Sequence, residues 1–164
     1  MDRTFCVTYS PQLVRSATGH FWRRRGGARD LLIGSVLTAT FVTYAIITGD
    51  RSTSTVILTA LFGINTVIPV LRYHVYLSGA TEKLRKMGSP EAYVQIIDDY
   101  IAVRAASGAA ELPWTSIEHV WSFPDVWLIF IGRDNYFTLP AAPMDEEAKA
   151  FIRQMVTDHG GKFR

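Results

Sequence analysis

"LLIGSVLTATFVTYAIITG" at residues 31–49 and "STSTVILTALFGINTVIPVL" at residues 52–71 are uncharged runs of nineteen and twenty residues, separated only by Asp50 and Arg51. A helix needs about 20 predominantly apolar residues to cross a hydrocarbon core ~30 Å thick, so each run is long enough to span. The connection "TGDRS" is short and carries Gly49 and Asp50, both turn formers. The pair therefore predicts two antiparallel transmembrane helices. A pair of buried helices in a soluble bundle is the competing reading, but neither run shows a charged face toward water. Both flanks are basic and aromatic, as a membrane interface favours. "HFWRRRGGAR" places Phe21, Trp22, Arg23, Arg24, Arg25 and Arg29 before the first run, and "RYHVY" places Arg72 and Tyr73 after the second.

Charge is distributed by segment. Residues 1–30 hold six Arg against two acids, net +4; residues 31–72 carry +1; residues 73–164 hold nine Lys or Arg against twelve acids, net −3. Positive charge thus gathers beside the spans, while the hairpin has only Arg51 next to Asp50. By the positive-inside rule a multi-pass membrane protein with both termini cytoplasmic is expected. The acidic C-terminal segment has no basic stripe to track phosphates, which excludes nucleic acid as an expected partner. A single cysteine, Cys6, forms no intrachain disulfide.

Within the spans, Gly34 with Thr38 has the small-xxx-small spacing that packs helices together, and Gly63 is expected to let the second span approach the first. Asn65 is a polar side chain in an apolar run, expected to hydrogen-bond a Thr of the first span. Pro69 is expected to kink the second span.

Outside the spans, "RTFCVTYS" alternates like a short strand. Ser10 and Pro11 then start an amphipathic helix carrying Leu13, Val14, Ala17 and Phe21 on one face. After the second span the helix continues to Gly88, Ser89 and Pro90. "AYVQII" and "YIAVRA" follow as strands about the turn Asp98-Asp99, then a loop "ASGAAEL", the stretch "PWTSIEHVWSF", and strands "VWLIFI" and "YFTL" about "GRDN". "PMDEEAKAFIRQMVTDHGG" closes the chain as an amphipathic helix ended by Gly160. The expected fold is α+β: a transmembrane hairpin plus a small antiparallel sheet or partial barrel capped by the C-terminal helix. Its segments are 1–29 (strand and juxtamembrane helix), 30–72 (the hairpin, spans about 31–48 and 52–71) and 73–164 (helix extension and β-domain).

"PWTSIEHVWSF" sets Glu118 beside His119 and invites a catalytic reading, but adjacent strand residues point to opposite faces and cannot act together on one group. Trp114 and Ile117 are read as core plugs. His119 and Trp121 share a face, which is either under the terminal helix or open to a partner.

In this order the chain resembles the YcxB-like family of bacterial two-span membrane proteins, through "IIDDYIAVRA", "LPWTSIEHVW" and "YFTLPAAPMDEEAKAFIRQM". The resemblance implies a C-terminal domain similar to the bacterial pleckstrin-homology-like fold, location in the bacterial inner (plasma) membrane, and an undefined biochemical role. It transfers no functional residue.

Enzyme chemistry has no support in the residues. His20, His74, His119 and His159 have no metal-ligand spacing, and no G-x-S-x-G elbow or glycine-rich phosphate loop occurs, so no catalytic residue, metal or cofactor is expected. The expected role is a membrane-anchored interaction module whose partners are membrane lipid and a protein, with self-association compatible. The alternative is an immunity or stress-regulatory protein acting through its hairpin.

Overall fold

The computed structural model describes residues 3–106, 108–132 and 135–164. Arg133 and Asp134 of the expected "GRDN" turn, and Ser107 of the expected "ASGAAEL" loop, lie outside them. The chain divides into a helical unit, residues 18–80, and a β-rich unit assembled from residues 1–17 and 81–164.

The helical unit is built on α2 (Gly27–Thr48) and α3 (Thr53–Lys86), the latter running well past its apolar stretch. Both are long and apolar enough to cross a membrane. Their large apolar side chains stay largely exposed, Ile46 at 75% and Ile47 at 78%, unlike those of core helices in soluble proteins. The many hydroxyls are accommodated by back-bonding: Thr38, Thr40, Thr48, Thr59 and Thr66 each donate to the carbonyl four residues earlier. That satisfies a polar group without water. Before them lies α1 (Pro11–Arg24), whose start is capped as expected, Ser10 Oγ accepting from the Leu13 amide at 3.1 Å. Gly26, at φ 91°, then breaks the chain between α1 and α2 in a conformation that favours glycine.

The β-rich unit contains two four-stranded sheets and no closed barrel. The first runs β1 (Arg3–Thr8), β2 (Glu91–Ile96), β3 (Tyr100–Ala105), β4 (Gly108–Pro113), each pair antiparallel. Thus the N-terminal strand belongs to the C-terminal domain's sheet, with Val7 opposite Ala92 and Phe5 opposite Val94. The stretch expected as the loop "ASGAAEL" instead supplies most of β4, whose Gly108, Ala109 and Ala110 pair through the backbone with β3. The second sheet has the order β7 (Tyr136–Pro140), β6 (Val126–Phe130), β5 (His119–Ser122), β8 (Lys162–Phe163). Its β5–β8 pair is parallel. The expected small sheet or partial barrel is thus built as two sheets, divided by a 3-10 turn at Trp114–Ser116.

Between the sheets Val94, Ile96, Ile101, Val120, Ile129 and Leu139 form one core with Ala148, Ile152 and Val156 of α4 (Glu146–Asp158). Asp145 caps α4, its Oδ1 accepting from the Ala148 amide at 2.7 Å, and Arg3 of β1 reaches both Asp145 and Glu147.

Candidate functional site

The crossover between the sheets is made by "WTSI". The Ile117 amide donates to the Trp114 carbonyl at 3.1 Å and Ser116 Oγ to the Pro113 carbonyl at 2.7 Å, closing the 3-10 turn. Trp114 is 1% exposed, and its indole Nε1 donates to the Ile97 carbonyl at 3.0 Å, so a buried ring has its one donor satisfied. Its ring meets Phe151 of α4 edge-on, with centroids 6.2 Å apart. Ile117, 2% exposed, shares the same core. Behind it, Gly161 is packed so closely that a Cβ would lie 2.8 Å from the Ile117 carbonyl and 2.7 Å from Val156 Cγ1. This glycine lets β8 reach β5, with the Lys162 amide donating to the Glu118 carbonyl at 3.0 Å.

His119 and Trp121 do share a face of the second sheet. Val120, across the strand, packs in the core with α4, so the terminal helix covers the opposite face. Their own face is an aromatic cluster: the His119 ring stacks on Phe130 at 4.3 Å and 17°, and Trp121 lies 4.6 Å from the same ring. Trp121 keeps only 7% exposure and His119 is half-buried. On this face the large rings pack against one another. β4 lies at one edge of the first sheet, and five of its six residues are exposed.

In the helical unit, Gly34 is the contact point of the spans. It is buried, and a Cβ on it would lie 3.0 Å from Thr66 Oγ1 and 3.1 Å from the Asn65 carbonyl oxygen. Thr38 Oγ1 lies 3.2 Å from Thr66 Oγ1, so the two hydroxyls meet between the spans, and either one donates to the other only by releasing the carbonyl of its own helix. Asn65 departs from expectation: its Nδ2 donates to the Leu61 carbonyl of its own helix at 2.9 Å and not to a threonine of the partner span. Gly63 also departs, with nothing within 4 Å of where its Cβ would be. Phe41 and Phe62 add a ring contact at 5.0 Å.

The aromatic and basic residues that flank the two apolar helices are tied together more than sequence implied. The Trp22 indole donates to the Pro69 carbonyl at 3.1 Å and its ring lies edge-on to Tyr73 at 5.6 Å. It folds over Gly27, where a Cβ would come 2.3 Å from the indole. Phe21 meets Tyr76 edge-on at 5.4 Å with the Arg25 guanidinium 5.4 Å from its ring centroid. Arg23 and Arg24 end α1. Arg29 reaches Asp30 at 3.6 Å, both exposed. Arg72, Asp30, Asn65 and Pro69 line a groove of about 390 Å³ between α2 and α3. At the hairpin turn, hydrogen bonds from Thr55 Oγ1 at 2.7 Å and the Ser52 amide at 2.8 Å hold the Asp50 carboxyl below the usual carboxylate range. Among the described residues no cluster of three or more His, Cys, Asp or Glu is placed to hold a metal.

A hairpin of two helices able to cross a membrane, joined to a two-sheet α+β domain capped by a helix, defines an architecture and not a catalytic class. Within it, residues 98–156, from the β2–β3 turn into α4, match the family model of the YcxB-like proteins. No curated protein and no solved structure matches the chain.

Proposed function

We propose that this is a bacterial inner-membrane protein, held by the α2–α3 hairpin with both termini cytoplasmic, whose pleckstrin-homology-like C-terminal domain binds a protein partner by strand addition at β4. It is an interaction module and not an enzyme. The exposed edge of β4 carries the reading. Natural edge strands are protected by charge, proline or a covering element. Here Gly108, Ala109 and Ala110 offer bare backbone, with one charge, Glu111, and Pro113 only at the end. Such an edge suits a partner that adds a strand, main-chain bonds supplying affinity. The net −3 charge of residues 73–164 favours a protein over an anionic-lipid surface. The exposed apolar side chains of α2 and α3 and the arginines around them support membrane residence.

The test uses the full chain in lipid nanodiscs as bait against membrane extracts, alongside Ala109→Pro and Ala110→Pro. Neighbouring amides in a strand point to opposite edges, so one proline removes the outward donor and the other breaks pairing with β3. We expect one captured species to be lost in the outward-donor variant while its domain still unfolds cooperatively. Recovery of lipid alone, or capture indifferent to both prolines, defeats the reading. Orientation is read from Cys6, exposed and the only cysteine, which an impermeant maleimide should label only after the inner membrane is opened.

A further inference from the structure

We propose that the groove between α2 and α3 at the level of Asp30 and Arg72 binds a phospholipid whose headgroup joins a phosphodiester to a primary ammonium. The inference rests on the membrane reading above. Asp30 stands in the first turn of α2 and Arg72 lies three residues beyond Pro69 on α3, and both line the same groove. Opposite charges at a membrane interface ordinarily close on each other, since an uncompensated charge near hydrocarbon is costly. These do not: among the described residues Arg72 makes no ion pair, and Asp30 makes only the exposed 3.6 Å contact with Arg29. The space between them suits a ligand carrying both signs. A phosphodiester oxygen accepts from the Arg72 guanidinium, and a primary ammonium donates to the Asp30 carboxylate, each bond charge-assisted. Toward the hydrocarbon the groove is floored by Ile33, Leu37 and Ile68, a track for one acyl chain. Its volume of about 390 Å³ is that of a ligand-sized site.

The identity of the headgroup follows from the charges. An anionic lipid would satisfy Arg72 but face the Asp30 carboxylate. A choline headgroup carries the right charges but has no N–H to donate. A primary amine meets both conditions.

Trp22 provides the readout, because its indole donates to the carbonyl of Pro69, which lines the groove. The full chain is reconstituted in phosphatidylcholine nanodiscs containing a fixed mole fraction of one bromine-labelled lipid: phosphatidylethanolamine, phosphatidylcholine or phosphatidylglycerol. Trp22→Phe supplies the background from Trp114, Trp121 and Trp127. We expect the ethanolamine lipid to quench Trp22 with an apparent preference of about three- to fivefold over the choline lipid, the scale of one exposed charged pair. Asp30→Asn should abolish that preference, and Arg72→Gln should weaken quenching by both zwitterionic lipids. Equal quenching by all three lipids, or strongest quenching by the glycerol lipid, overturns the proposal while leaving the membrane reading intact. Absence of quenching by every labelled lipid overturns the membrane reading itself. Mass spectrometry of lipids retained by each variant after detergent extraction should give the same ranking; retention of the ethanolamine lipid unchanged in both variants also overturns the proposal.

Discussion

The carbonyl of Asn65 lies against Gly34: a Cβ added to Gly34 would sit 3.1 Å from that oxygen. It is also the carbonyl that Pro69, four residues on, has no N–H to satisfy. The helix defect made by the proline and the close approach allowed by the glycine therefore meet at one point, where the glycine backbone can offer a weak C–H contact to the oxygen.

Gly34→Val should force the two helices apart, at a cost of about 1–3 kcal/mol for overpacking a tight contact. Gly63→Ala, with open space around it, should be neutral or slightly stabilising. Thr38→Val, which removes the hydroxyl facing Thr66, should cost about 0.6 kcal/mol. Thermal unfolding of the helical signal in detergent ranks the three; equal effects from Gly34 and Gly63 would sink the assignment of the contact point.

Trp114→Phe keeps most of the ring but leaves the Ile97 carbonyl without its donor. A lost partner for a buried group costs about 1–3 kcal/mol, which should appear as a lower denaturant midpoint of the β-domain with unchanged slope. A midpoint equal to that of the parent would show that the indole N–H contributes nothing.

Gly161→Ala should detach β8. Its methyl would meet both Ile117 and Val156, and relief requires the C-terminal strand to move away from β5. Hydrogen exchange should then quicken at the Lys162 and Arg164 amides, which donate to Glu118 and Val120, with the β2–β3 amides unaffected. Gly79→Ala, on α3 with nothing nearby, is the control.

Tyr9 titrates late. Burial pushes its hydroxyl up to about 12, and that hydroxyl donates to the Thr138 carbonyl at 2.7 Å. A raised value means that the folded state holds the proton more tightly than the unfolded chain, so the associated stability is complete below about pH 10 and disappears as pH rises toward 12. Two units correspond to roughly 3 kcal/mol at most. Phenolate absorbance should show one tyrosine ionising after the others, and Tyr9→Phe should remove that late step and flatten the alkaline loss of stability.

What sequence could and could not convey follows from these contacts. The axial register of the hairpin was readable, because a turn at Asp50-Arg51 places Gly34 and Thr38 at the depth of residues 63–67. Rotation about each helix axis was not: runs apolar all round carry no face, so Gly63, Asn65 and Thr66 were indistinguishable as neighbours of Gly34 until their directions were known. Trp114 and Ile117 were legible as core because a short "WTSI" run between strands has nowhere else to put an indole. The division into two sheets was not, since strand periodicity says nothing of which strands pair. Nor was β4, whose Ala and Gly carry neither a strand pattern nor a turn requirement. Gly27 and Gly161 escaped notice for another reason: each glycine is needed by a side chain or strand far from it in the fold's logic, Trp22 in one case and β5 in the other.

The pairing of β1 with β2 joins segments that lie on either side of the whole hairpin in sequence. Residues 3–8 emerge first and must wait for residues 91–96, which follow both apolar helices. In the proposed orientation the sheet can close only when both helices have crossed and brought the two strands to the same face of the bilayer. A chain in which the second helix fails to insert leaves β1 and β2 in different compartments, with an open sheet edge and an unfilled core. In that orientation completion of the β-rich unit would check membrane insertion, and misinserted chains should be recognisable to proteases by an unfolded C-terminal half.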